Sequence, residues 1–89
     1  MIDNSKLDIK HDAGQGKYFA LINGQECLLR YKETGPGVVN FYSTYVPPEL
    51  EGHGYAAQLT RYALEDAKAQ NLKVIPGCSY VRNYIEKHS

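Results

Sequence analysis

The sequence predicts an α+β fold, a mixed α/β domain in which an antiparallel β-meander leads into a β-α-β-α run with its helices packed on one curved sheet. Three observations predict it. Residues 17–46 read as short β-rich runs separated by the turn signals Asn23-Gly24 and Gly35-Pro36-Gly37. From Gly54 the apolar period changes from two to about 3.6. A short strand-like stretch, residues 73–75, then separates two helical segments.

Each element has its own warrant. A short strand is expected around residues 7–10. In residues 17–22, Tyr18, Ala20 and Ile22 fall on one face. Asn23 and Gly24 both tolerate the positive φ that a type I′ hairpin turn requires. Residues 25–32 alternate, with Cys27, Leu29 and Tyr31 opposed to Leu28, Arg30 and Lys32. Residues 38–46 are rich in β-branched and aromatic side chains. Pro47-Pro48 ends that strand, because proline donates no ladder hydrogen bond. Over residues 54–70, Ala56, Leu59, Ala63 and Ala67 line one helical side with Thr60 among them. Asn71 is expected to cap that helix. Ser79 is expected to cap the last one, with Val81, Tyr84, Ile85 and His88 along one side. The expected order is β-β-β-α-β-α within a single domain, residues 1–89.

Composition narrows the function. The chain has 89 residues and a formal net charge of zero, without the basic surplus that a nucleic-acid partner favours. No apolar run approaches the ~20 residues of a membrane span. Residues 1–10 lack the apolar stretch of a signal peptide. Cys27 and Cys78 have no metal-ligand spacing to His11, His53 or His88, so no metal is expected. These features predict a soluble, cytoplasmic protein with free thiols.

The segment Glu51-Gly52-His53-Gly54-Tyr55-Ala56-Ala57 lies between a strand and a helix. A helix start leaves several N–H groups without partners and carries the positive end of the dipole. Glycines at 52 and 54 let an anion approach the backbone, and alanines at 56 and 57 keep the first turn narrow. The arrangement suits a phosphate or pyrophosphate; the plainer alternative is a turn that simply requires glycine. A P-loop would need Gly-Lys-Ser/Thr, where Gly54-Tyr55-Ala56 stands. Gly52-x-Gly54-x-x-Ala57 matches the dinucleotide fingerprint formally. Its upstream strand, however, belongs to a meander, and no acidic residue follows at the required distance.

From Val46 through Pro47, Pro48 and the glycine loop to Leu59, the chain resembles the acetyl-coenzyme A loop of the GNAT superfamily of N-acetyltransferases. That loop reads Arg/Gln-x-x-Gly-x-Gly/Ala; Gly54 and Ala56 match it, and Glu51 stands where Arg or Gln is usual. The tail, with Val74, Pro76, Cys78, Tyr80, Val81, Tyr84, Ile85 and His88, is similar to that of a small single-domain GNAT subfamily. Together the two blocks cover about half the chain.

The resemblance implies a GNAT-like minimal fold and an acetyl-CoA-dependent N-acetyltransferase. Gly52, His53, Gly54, Tyr55, Ala56 and Ala57 would hold the pyrophosphate, and Tyr45 and Val46 the pantetheine arm. Tyr80 or Tyr84 would return a proton to the departing thiolate, unless they are core aromatics. Cys78, ahead of the last helix, is a candidate acyl acceptor or thioester-lining group, or else a small buried side chain. Cys27 reads as a core residue. Ser43 stands where the subfamily often has histidine, leaving Glu49, His53 or water as candidate bases. The expected partners are acetyl-CoA and an amine acceptor, in a monomer or weak dimer. The alternative is a non-catalytic CoA-binding or protein-interaction module on the same scaffold.

Overall fold

A computed structural model describes residues 7–88. Of the N-terminal stretch read above as lacking a leader, residues 1–6 lie outside the described residues, as does Ser89 of the expected domain. The elements are β1 (Lys10–Asp12), β2 (Lys17–Ile22), β3 (Gln25–Gly35), β4 (Val38–Tyr45), α1 (Tyr55–Ala69), β5 (Lys73–Pro76) and α2 (Ser79–Lys87). The five strands form one sheet in chain order, antiparallel up to β4, with β5 parallel to β4. The expected α+β architecture is the observed one.

Several boundaries differ from expectation, each for a local reason. β1 begins at Lys10, because its register is set by the turn to β2, with Lys10 opposite Phe19. The backbone N–H of Leu7 instead donates to Gln58 Oε1 in α1 at 2.9 Å. β3 runs on to Gly35, since Lys32 and Glu33 still find partners in Asn40 and Val39. Asn23 and Gly24 take φ of 53° and 78°, the positive values of the expected hairpin turn.

Helix ends shift by one residue. Gln70 caps α1, and Asn71 follows in the left-handed region at φ 59°. The N–H of Leu72 donates to Ala67 O at 2.8 Å and that of Asn71 to Lys68 O at 3.0 Å, which is a Schellman closure. Cys78, not Ser79, is the N-cap of α2: its backbone is extended and its carbonyl accepts from Arg82 N–H at 3.0 Å.

One core holds the domain together. Tyr18, Cys27, Leu29, Val39 and Phe41 line a single sheet face and pack against Leu59, Ala63 and Ala67 of α1 and Val81 of α2. Both helices therefore cover the same face. Ala63 and Ala67 are fully buried, and their small side chains let α1 lie close to the strands. Polar contacts fix the far end of α1. Asp66 accepts from the Tyr18 hydroxyl at 2.7 Å and from Gln70 at 2.8 Å, and lies 3.7 Å from His11 Nδ1. His11 Nε2 also meets the Tyr31 hydroxyl. Burial, then the Asp66 carboxylate, pushes the Tyr18 phenol well above its ordinary pKa.

The β4–β5 pairing is short, and this positions the site. The ladder runs from Val38–Lys73 to Phe41–Pro76 and ends there. Pro76 has no N–H to offer, Gly77 turns back with its N–H on Ile75 O, and the N–H of Cys78 closes the pair on Phe41 O at 3.0 Å. β4 continues to Tyr45 while β5 has turned into α2. The gap between them is a consequence of the Pro76-Gly77 dipeptide.

Leu59 has no solvent exposure and sits where the helix meets the sheet. Leu59→Ala should lower unfolding stability by about 2–5 kcal/mol, from lost transfer energy plus the cavity left behind, as read from urea unfolding curves.

Candidate active site

The glycine loop is held by one apolar anchor. After buried Pro47, Pro48–Leu50 forms a single 3-10 turn, with Leu50 N–H on Pro47 O at 2.8 Å. Leu50 is 7 % exposed and joins the core, so the loop leaves a fixed point. Gly52 and Gly54 then take φ of 88° and 78°, a region that costs most L-residues strain.

Gly54 is the N-cap of α1, and its carbonyl accepts the first helical bond from Gln58 at 3.1 Å. No side chain caps this helix and no acidic residue lies in its first turn. Among the described residues, the N–H groups of Tyr55, Ala56 and Ala57 have no protein acceptor. They lie beside a hollow of ≈ 200 Å³ lined by Val46, Leu50, Gly52, Gly54, Tyr55, Ala56 and Ala57, with Glu51 and Tyr80 at its walls. An uncapped helix end over such a hollow is an anion-binding geometry.

A second hollow of ≈ 350 Å³ is lined by Thr44, Tyr45, Val46 and Pro48, and shares Val46, Glu51, Ala56 and Tyr80 with the first. It opens where β4 has lost its neighbour. Tyr45, Val46, Gly52, Gly54, Tyr55, Ala56, Ala57 and Tyr80, all singled out in the sequence, thus converge on two adjoining hollows. His53 lines neither; it is exposed, with its ring stacked on Tyr55 at 5.4 Å. Tyr84 also lines neither. Its ring stacks on His88 at 4.2 Å, in a separate groove with Arg61, Leu64 and Glu65. Glu49 is exposed and its carboxylate accepts from Gln25 at 3.4 Å.

Burial, then Tyr84, raises the Tyr80 pKa above that of an ordinary phenol. Tyr80 therefore keeps its proton at neutral pH, the state a general acid needs. Glu51 is exposed and, among the described residues, is the one carboxylate lining either hollow.

Cys78 is half-buried and lines neither hollow, but its thiol donates to Thr44 Oγ1 at 3.6 Å, and Thr44 lines the second. The contact depends on a bulge in β4. Arg30 pairs with Ser43 and Tyr31 with Phe41, so Tyr42 is the extra residue. Phe41 and Thr44 consequently share the helix-side face, while Ser43 falls in register with Arg30 on the other. Thr44 was not legible in the sequence, because strict alternation hides a bulge.

Burial pushes the Cys78 thiol up. The N–H of Val81, the Thr44 hydroxyl, the N–H of Tyr80 and the Thr44 backbone together outweigh it, and the thiol pKa lies below its usual value. The Val81 and Tyr80 groups do not close full cap hydrogen bonds; they act as dipoles aimed at the sulfur. Cys27 is the contrary case: it has no exposure and burial raises its thiol.

Iodoacetamide alkylation of Cys78 should therefore show a pH midpoint below that of free cysteine. Thr44→Val should move that midpoint up, because the thiolate loses a hydrogen bond from the hydroxyl, and Thr44→Ser should restore it.

Comparison with known proteins agrees with this geometry. A profile of the GCN5-related N-acetyl-transferase family matches residues 17–89. The chain is 26% identical over 90 residues to protein NATD1 of Xenopus tropicalis, covering 99% of this chain and 83% of the relative. It is 27% identical over 84 residues to human NATD1, covering 92% and 74% respectively. The NMR solution structure of a GCN5-like protein from Staphylococcus aureus superposes with a TM-score of 0.73 at 29% identity, covering 94% of this chain and 82% of that one. With four-fifths of the sequence inside the family profile and the same fold in a relative, this chain belongs to the GCN5-related N-acetyltransferase family.

Proposed function

We propose that the protein is an acetyl-CoA-dependent N-acetyltransferase acting on an amine. The observation that carries the reading is the uncapped start of α1, where three N–H groups and two positive-φ glycines border a hollow continuous with the β4–β5 gap. Acetyl-coenzyme A supplies an activated thioester. The chain supplies the rest. The N–H groups of residues 55–57 hold the pyrophosphate with the helix dipole behind them. The backbone of Tyr45 and Val46, on the unpaired side of β4, aligns the pantetheine arm. Tyr80 donates its proton to the departing thiolate.

Among the described residues no histidine lines either hollow, and in this reading the amine arrives unprotonated. Turnover at subsaturating amine should rise about tenfold per pH unit up to the amine's own pKa and then level. Two routes share this site. In one, the amine attacks the thioester directly. In the other, the Cys78 thiolate takes the acetyl group first, held by Thr44, and the amine then attacks the cysteinyl thioester. Mass spectrometry after mixing with acetyl-CoA separates them, since only the second adds an acetyl group to the protein at Cys78.

A second reading, a non-catalytic CoA-binding module, is favoured by Glu51, which puts a negative charge beside the phosphate cradle. Isothermal titration with acetyl-CoA, followed by mass analysis of a panel of amines, decides among them. Binding without any acetylated amine or cysteine leaves the second reading standing and ends the first. No heat at millimolar acetyl-CoA ends both.

Two substitutions probe the cradle and the acid. Glu51→Arg should tighten acetyl-CoA by about three- to tenfold at low salt, and the gain should shrink as salt screens it. Tyr80→Phe should lower kcat by about 10²-fold with KM little changed, if phenol proton transfer contributes in the ordinary range.

A further inference from the structure

We infer that the open face of the sheet docks an acidic polypeptide segment lying extended beside the β4–β5 gap. Both helices occupy the opposite face, with Tyr18, Leu29 and Phe41. The register places an apolar row on the open one: Phe19, Leu28 and Tyr45 lie side by side across β2, β3 and β4, flanked by Leu21, with Leu28 itself buried and Phe19 half-buried. The exposed rings and chains are large for a surface with no other purpose. Leu21 is 64 % exposed, Tyr45 52 % and Ile75 39 %.

Charge says what covers it. The register brings Lys10, Lys17, Arg30, Lys32 and Lys73 to this face against Asp12 and Glu26, and Asp8 sits on Lys10, five cations to three carboxylates. The whole chain is formally neutral, so the surplus is local. Lys17 is held by Glu26 at 2.6 Å and Lys10 by Asp8 at 3.2 Å. Arg30, Lys32 and Lys73 have no carboxylate partner among the described residues. They cross β3 to β5 next to Tyr42 and Ile75. A partner with carboxylates spaced between apolar side chains complements that stripe.

A single-stranded nucleic acid fits less well. It stacks bases on open aromatic faces. Here Lys17 Nζ sits 4.9 Å over the Phe19 ring and Lys32 Nζ 5.8 Å over Tyr42. The ammonium groups occupy a face of each ring, and Lys32, unlike the Glu26-paired Lys17, is left able to meet a carboxylate. Tyr45 also lines the second hollow, so the stripe runs up to the proposed site of acetyl transfer without depending on it.

The test is a titration of isotope-labelled protein, without acetyl-CoA, using a blocked peptide of about twelve residues alternating Glu and Tyr, at roughly 150 mM salt. Amide shifts should concentrate at Lys17, Arg30, Lys32, Tyr42 and Ile75, and the Gln-for-Glu peptide should leave them unmoved. Arg30→Glu with Lys32→Glu should weaken binding by at least about tenfold. If that variant loses its dispersed spectrum, Lys32→Gln with Lys73→Gln should still weaken it by several-fold. Shifts confined to the helical side, equal affinity for the Gln peptide or for the charge variants, or tighter binding at this face of an oligothymidine or of phosphatidylserine vesicles would each overturn the assignment. Because no acyl donor is present, failure here is separate from failure of the acetyltransferase reading.

Discussion

A single backbone hydrogen bond, from Cys78 N–H to Phe41 O, marks where β4 and β5 part. The hollow lined by Thr44, Tyr45 and Val46 lies past that point of separation. Behind it the two strands share a parallel ladder and a common core. Beyond it β4 proceeds alone, β5 becomes α2, and the backbone of one strand is left facing a hollow. A buried edge without partners would be costly, so the gap is tolerable only because it opens to solvent or to a ligand. Pro76, which has no N–H to give, withdraws one ladder bond just before the strands part.

The same divergence explains why the chemically suggestive groups assemble where they do. Cys78 is carried to the gap because it is the first residue past the turn, and it acquires its lowered thiol pKa because that position is also the N-cap of α2. Thr44 reaches it through the β4 bulge. Tyr80 follows two residues later and walls both hollows. The opposite wall is built by Leu50, which anchors the loop, and by the glycine pair, which turns it into α1.

Much of this was legible in the sequence. Asn23-Gly24, Gly35-Pro36-Gly37 and Pro47-Pro48 punctuate the strands chemically, so the meander and the start of the loop could be read directly. The Ala56–Leu59–Ala63–Ala67 stripe announced a helix that lies close to a sheet. What escaped was what depends on pairing. The end of β3, the start of β1 and the bulge at Tyr42 are set by a partner strand, and no local propensity encodes them. Tyr80 and Tyr84 looked equivalent at one helical turn apart. The structure divides them: Tyr80, in the first turn of α2, walls both hollows, while Tyr84 lies in the groove with Arg61, Leu64 and Glu65 of α1. The N-cap of α2 was misassigned for a related reason: serine is the better cap by chemistry, but the carbonyl that starts the helix belongs to Cys78.

The polar cluster around Asp66 has a consequence for the long helix as a mechanical part. Asp66 is gripped by Tyr18 and Gln70, with His11 and Tyr31 packed beside it, and Leu72 closes the C-terminal turn. At the other end, α1 has no cap and offers its first N–H groups outward. One rigid rod is thus clamped at one end and open at the other. Changes at the clamp act on whether the domain holds together, and changes at the open end act on what it can hold. Fifteen residues of a single helix keep those two demands about twenty ångströms apart, by the rise of an α-helix, so that each can drift in evolution with little effect on the other.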